Sequence, residues 1–247
     1  MSNHPTATFS GISVVLLDIE GTVSDIRFVY DVMFPYAQQN MSSFLNQHWH
    51  QVAVQTAIQQ VCADANQDLQ TWLGSSMDRA QQTLVNHLHQ LMANDSKSTG
   101  LKAIQGLVWK DGFESGAIRA ELFDDVLPAL KQWKEQGLSI SIYSSGSILA
   151  QQLFFRHTTH GDITPLLCDY YDTTSGPKRE PKSYESIAKA MQAPPSSILF
   201  VSDIAEELFA ATNAGYQVVA SVRSNNKPLL ETYLGPAVSS FADISID

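Results

Sequence analysis

Cysteine is nearly absent. Cys62 and Cys168 are the only two among 247 residues, so at most one bridge exists. That excludes a disulfide-stapled scaffold and fits reduced thiols in a cytoplasmic protein. Basic side chains are also few: 15 Lys and Arg stand against 25 Asp and Glu, for a net charge of −10. This balance argues against a nucleic-acid or anionic-membrane partner. No apolar run approaches the ~18 residues of a membrane-spanning helix. The first ten residues lack the basic start and apolar run of a secretory signal, and repeats and low-complexity tracts are missing. Zinc chemistry has little to work with. His48 and His50, like His87 and His89, are two apart in helical or helix-end segments, where such positions do not share a face. No Cys or acidic partner stands at zinc-ligand spacing. What is there is a globular composition, 44% hydrophobic and 16% charged, in a chain long enough to bury a sizeable core in one or two domains.

The apolar run Val14-Val15-Leu16-Leu17 reads as a buried strand, and it stops on Asp18-Ile19-Glu20-Gly21-Thr22. Ligands bind at the carboxyl ends of strands in open α/β sheets. Asp18 and Glu20 are two apart and lean to one side of extended backbone. Carboxylates held close repel unless a proton or cation lies between them, and Mg²⁺ with its oxygen ligands suits such a site. Read alone, the motif is equally a strand end and a solvated acidic turn. Three further signals follow it. Positions 138–143 alternate as a strand and end on Ser144-Ser145-Gly146-Ser147, hydroxyls and a glycine ahead of a helical run; this is a phosphate cradle or a simple cap. Positions 176–184 put Lys178 and Lys182 around Pro181 in a rigid loop before a helix over 184–191. The apolar strand 198–201 ends on Ser202-Asp203, with Glu207 four residues on in a helix over 205–214.

About 120 residues separate Thr22 from Ser144, whereas a strand–helix–strand crossover needs about 30. The excess forms an insertion over 26–115. It holds no convincing strand, and helix-spaced apolar residues run over 29–46, 52–62, 68–93 and 101–110. Beyond 116, helices over 126–136, 147–157, 184–191 and 205–214 alternate with strands over 139–143, 166–171, 198–201 and 217–222. The expected fold is α/β, a doubly wound parallel sheet with an inserted all-helical cap: core 1–25 and 116–247, cap 26–115.

The order D-x-E-G-T, S-S-G-S, K-x-x-P, S-D-x-x-x-E resembles the haloacid dehalogenase-like phosphohydrolases. Within them, Asp18-Ile19-Glu20-Gly21-Thr22, Phe28-Val29-Tyr30-Asp31-Val32-Met33-Phe34-Pro35-Tyr36-Ala37, Gly106-Leu107-Val108-Trp109-Lys110-Asp111-Gly112-Phe113 and Ile142-Tyr143-Ser144-Ser145-Gly146-Ser147 are similar to the enolase-phosphatase (acireductone synthase) family of methionine salvage. Most of the superfamily has Asp where Glu20 stands. Leu122-Phe123-Asp124-Asp125-Val126 departs from the Tyr-Pro-Asp-like segment expected before the first core helix.

The resemblance implies Asp18 as nucleophile and Glu20 as the acid and base. Ser144, Ser145 and Lys178 would bind the phosphate, and Lys182 would lie on the surface. One Mg²⁺ per subunit would be held by Asp18, Glu20 (through carboxylate or carbonyl) and Asp203. The implied substrate is a phosphorylated diketone, 2,3-diketo-5-methylthiopentyl-1-phosphate, enolised and then dephosphorylated by a monomer. Phe28, Met33, Phe34 or Trp109 would line an apolar pocket for its thioether end, or would only pack the cap. A simple phosphomonoesterase of the same fold and a phosphate-binding module without turnover are the alternatives. The presence of both Asp18 and Asp203 disfavours the module.

Overall fold

The strand β2 (Val14–Leu17) lies at the centre because all four of its side chains are apolar and can be buried on both faces. Parallel neighbours flank it: β3 (Ser139–Tyr143) with Val14 opposite Ser139, and β5 (Ile198–Ser202) with Val14 opposite Ile198. Together with β4 (Tyr170–Tyr171), β6 (Gln217–Ser221) and β7 (Ala237–Val238) they make a six-stranded parallel sheet in the order β4-β3-β2-β5-β6-β7. A separate parallel pair joins β1 (Ala7–Phe9) to β8 (Ile244–Ile246). These are elements of a computed structural model that describes residues 6–68, 71, 72, 74 and 76–247. The expectation about the chain's first residues falls partly on 1–5, outside the described residues.

The alternation of Ser and Ile in β3 suggests one wet face, yet Ser141 is buried, because the sheet is covered on both sides. The strand expected over 166–171 shrinks to two residues, since Pro165 starts a 3₁₀ turn, Thr164–Leu166. The chain steps from β2 to β3 and β4 on one side, then returns to β5, β6 and β7 on the other. The reversal at β2 and β5 leaves a crevice beyond their carboxyl ends, where Asp18 and Asp203 follow.

The chain divides into two units, one running to Val29 and resuming at Arg119–Asp247, the other Tyr30–Ile118. The second unit is built from α1 (Phe34–His48), α2 (Val52–Asp64), α3 (Met77–Ala93) and α4 (Thr99–Ser115). It has no strand among its described residues. Met41, Leu45, Ile58, Val61, Leu84, Leu88, Ile104 and Val108 form its core. Ser76 and Ser98 cap α3 and α4 by accepting the N–H groups of Arg79 and Leu101. Part of the helix expected over 68–93, at 69, 70, 73 and 75, lies outside the described residues. The helix expected over 29–46 begins instead as a π-helical stretch, Phe28–Met33. Pro35, in the first turn of α1, offers no N–H to the carbonyl four residues back, so the α pattern starts only there. Trp109 Nε1 donates to the Met33 carbonyl at 2.8 Å, and its ring tilts against Phe34.

The first unit carries α5 (Val126–Glu135), α6 (Ile148–Arg156), α7 (Pro181–Met191) and α8 (Ala205–Asn213). Helix α7 begins three residues earlier than expected because Pro181 occupies its first turn, where a missing N–H costs nothing. No helix among the described residues is long and apolar enough to cross a membrane. Cys62 and Cys168 are both free thiols.

Candidate active site

β2 continues past Leu17, as the Asp18 N–H reaches the Val201 carbonyl at 3.0 Å. The chain then folds tightly: the N–H groups of Thr22, Val23 and Ser24 all point at the Ile19 carbonyl, at 3.0–3.1 Å. Gly21 makes this turn at φ +71°, and a Cβ there would lie 2.5 Å from Asp203 Oδ2, so only glycine fits. The turn aims Thr22 Oγ1 at Asp18 Oδ2, 3.4 Å away. Glu20 reaches the end of β3, where Ser144 Oγ donates to its carboxylate at 3.2 Å. The same hydroxyl accepts the Gly146 N–H at 3.2 Å.

Lys178 completes the cluster. Its Nζ lies 2.5 Å from Asp18 Oδ1 and 2.6 Å from Glu207 Oε2, with the side chain only 7% exposed. Glu207, in the first turn of α8, also accepts Ser202 Oγ at 2.9 Å. The loop bearing Lys178 is fixed by two tyrosine hydroxyls: Tyr184 donates to the Lys178 carbonyl at 2.7 Å and Tyr143 to the Gly176 carbonyl at 2.9 Å. The Lys178 ammonium sits 5.7 Å from the Tyr143 ring centre and 5.9 Å from that of Phe200, within cation–π range.

Burial dominates the electrostatics. It pushes the Asp18 carboxyl up to about 6, against the pull of Lys178 and with the push of Glu20. Asp203 rises to about 7 through burial and then the Asp18 charge. Glu207 is raised by burial, with Lys178 opposing. The Lys178 ammonium loses solvation on burial, but Asp18 and Glu207 together more than restore its charge and raise it. Asp18 and Glu207 thus share one ammonium, whose charge also reaches Asp203, while Glu20 adds its charge beside Asp18. Carboxylates this close repel unless a proton or cation lies between them. Among the described residues no group of three His, Cys, Asp or Glu side chains is placed to hold a metal ion, the expected Asp18, Glu20 and Asp203 carboxylates included. Mg²⁺, which keeps several waters, needs only one or two carboxylates. Asp18 and Asp203, pushed up by burial, fit that requirement, with main-chain oxygen near Glu20 as a further donor.

Of the residues expected from sequence, direct bonds join Asp18 to Lys178 and Glu20 to Ser144, and Asp203 lies against Gly21. Ser145 is exposed at the entrance to α6. The cap hydroxyl of that helix is Ser147, which accepts the Ala150 N–H. Lys182 is exposed in the first turn of α7. Met33 is buried, Phe34 half-buried, and Phe28 packs edge-on against Phe154. Sequence reasoning left Glu207 without a role; its ion pair with Lys178 joins a loop to the first turn of α8 and has no local signature. Arg223 and Asn226, which reach the turn after β2, and Asp125, which holds Arg223, have no local signature either.

The description of a haloacid dehalogenase-like hydrolase matches residues 12–215. An enolase-phosphatase E1 of Erwinia tasmaniensis is 45% identical over 212 residues, 86% of this chain and 89% of its own. One from Aquifex aeolicus is 42% identical, over 88% of this chain and 93% of its own. Among solved structures, the UTR4 protein of Saccharomyces cerevisiae superposes with a TM-score of 0.77 at 31% identity, covering 93% of this chain and 98% of that one. An L-2-haloacid dehalogenase from Xanthobacter autotrophicus, at 17% identity and TM-score 0.54 over 94% and 96% of the two chains, shares the fold alone.

Proposed function

As this chain belongs to the haloacid dehalogenase-like hydrolases, and among them to the enolase-phosphatases, we propose that it enolises and then dephosphorylates 2,3-diketo-5-methylthiopentyl-1-phosphate to the acireductone of methionine salvage. The observation that carries this reading is the buried Asp18 carboxylate at a strand end. It is paired to the one ammonium of the site and has Glu20 two residues on, held by the Ser144 hydroxyl.

A phosphate ester repels nucleophiles, so charge neutralisation and alignment make up most of the task. Lys178, Ser144 and Ser145 bind the phosphate oxygens, and Asp18 attacks phosphorus in line. The P–O bond to the substrate breaks, Glu20 gives its proton to the leaving alkoxide, and an aspartyl-phosphate remains. Glu20 then takes a proton from water, which attacks that phosphorus and returns Asp18. Asp18, Asp203 and the main chain at Glu20 would hold one Mg²⁺ per subunit, which neutralises phosphate charge and stabilises the oxyanion of an enolate.

Enolisation comes first. Glu20 removes the proton from the carbon next to the carbonyl, and the electron pair moves to the carbonyl oxygen. One methylene longer than Asp, Glu20 has the reach for both carbon and leaving oxygen. The partner is a small molecule, with no nucleic acid or membrane, and the acting unit is a monomer. Anaerobic assay of the diketone phosphate beside p-nitrophenyl phosphate, with and without Mg²⁺, tests the reading. Acireductone absorbance from the diketone, dependent on Mg²⁺, is expected. Phosphate release from both compounds with no acireductone would reduce the protein to a simple phosphomonoesterase.

A further inference from the structure

The segment 221–226, which begins on the last residue of β6, touches the turn after β2 and its exit at four points. Ser221 Oγ and Asn226 Nδ2 both donate to the Gly21 carbonyl, at 3.2 and 2.9 Å. Arg223 donates to the Thr22 carbonyl at 3.3 Å. Asn225 Nδ2 donates to Asp25 Oδ2 at 2.6 Å. Asn226 also ties back to its own segment through the Ser221 carbonyl at 3.1 Å.

Arg223 is itself rigidly held. Its two terminal nitrogens grip the Asp125 carboxylate at 3.0 and 2.9 Å, one of them also donates to the Ser239 carbonyl, and the side chain is 7% exposed. The guanidinium lies 4.4 Å from the Phe123 ring centre and 5.2 Å from that of Phe241. A planar fork held on so many sides serves geometry. Asp125, in the stretch where the sequence departs from its family, is the anchor; it also accepts the Phe241 N–H.

We propose that segment 221–226 is a brace on the catalytic turn, and that Arg223 and Asn226 are positioning residues for the phosphoryl-transfer chemistry of Asp18. Arg223 acts through Thr22. With the Thr22 carbonyl fixed, its hydroxyl stays aimed at Asp18 Oδ2; at 3.4 Å that bond is near its limit, so a shift of a few tenths of an ångström loses it. Asn226 acts through Gly21, whose backbone packs against Asp203 Oδ2. The inference rests on the reading of Asp18 as nucleophile.

The test is steady-state hydrolysis of p-nitrophenyl phosphate with Mg²⁺ by the full chain. Wild type, Asn226→Ala, Arg223→Lys and Arg223→Gly are compared, each with its melting temperature. The expected result is a fall in kcat of about 10- to 100-fold, the scale of a ~1 Å misplacement, with KM within about threefold of wild type. Methylguanidinium should raise kcat of Arg223→Gly at least about threefold and leave wild type unchanged. Asn226→Ala keeps the Ser221 bond to Gly21 and carries the test if the Arg223 variants do not fold. A lowered melting temperature with kcat unchanged per folded molecule would overturn the inference, leaving the segment merely structural. Absence of turnover in wild type would instead remove the nucleophile reading, and the inference with it.

Discussion

Replacing Lys178 with Met keeps most of the stem against Tyr143 and Phe200 and removes only the charge. That charge lies 2.5 Å from Asp18 and 2.6 Å from Glu207 in a site that excludes water. Removing one partner of a desolvated charge pair costs about 2–5 kcal/mol. At 1.36 kcal/mol per tenfold in rate, this is a loss of roughly 30- to several-thousand-fold in kcat/KM. Part of the loss is a protonation effect. Burial already holds Asp18 at about 6 against the pull of Lys178. Without that pull the carboxyl climbs further, and more of the nucleophile is protonated at neutral pH. The activity of Lys178→Met therefore recovers partly as pH rises, and its rising limb lies above that of wild type. Lys182 is exposed, and a solvated charge contributes under about 1 kcal/mol, so Lys182→Ala should stay within about threefold. Phosphate release measured from pH 5 to 9 on the three proteins decides the matter. Lys178→Met within threefold of wild type at pH 7, or an equal loss in Lys182→Ala, would refute the reasoning.

Asp18 and Asp203 are raised from 3.8 to about 6 and about 7. The folded state therefore binds protons more tightly than the unfolded chain between pH 4 and 7, and stability falls as pH rises through that window. With chelator present, the melting temperature should drop from pH 5 to 7, less so in Asp203→Asn, and Mg²⁺ should restore it at pH 7; a rise with chelator present would contradict the assignment. Gly21→Ala puts a side chain at φ +71° against Asp203 and Asn226, adding about 1–2 kcal/mol of backbone strain to a steric clash. Its melting temperature and phosphatase rate should both fall, and a wild-type rate would show that the turn can move aside. Glu20→Asp should keep part of the hydrolysis and lose more of the enolisation, because the shortened reach misplaces the base by about 1 Å. Deuterium exchange on a phosphonate analogue at the wild-type rate would move the base elsewhere.

What the chain discloses before folding follows from range of interaction. β2, β3, β5 and β6 announce themselves because each is an apolar or alternating run bounded by turn chemistry. β1, β7 and β8 have two or three residues each, too few to show a period. Asp18, Glu20, Ser144 and Asp203 stand out because they end strands, where a carboxylate or hydroxyl has no packing reason to be. Lys178 is set apart from Lys182 in the sequence only by the family resemblance; that Pro181 starts α7 and leaves Lys182 on its exposed first turn emerges only in the fold. Glu207 reads as an ordinary first-turn acid, favoured there by the helix dipole, and its pairing with Lys178 emerges only when the Lys178 loop meets that helix. Arg223 and Asp125 are nearly a hundred residues apart, and neither lies in a periodic run, so nothing local marks them.

The most direct test of the central claim sets wild type beside Asp18→Asn, with the diketone phosphate, Mg²⁺ and no oxygen, reading acireductone absorbance and inorganic phosphate from the same sample. Wild type should release the two in equal amounts, and folded Asp18→Asn should release no phosphate. Phosphate release from Asp18→Asn near the wild-type rate, or a wild type that hydrolyses p-nitrophenyl phosphate and leaves the diketone untouched, would contradict the account.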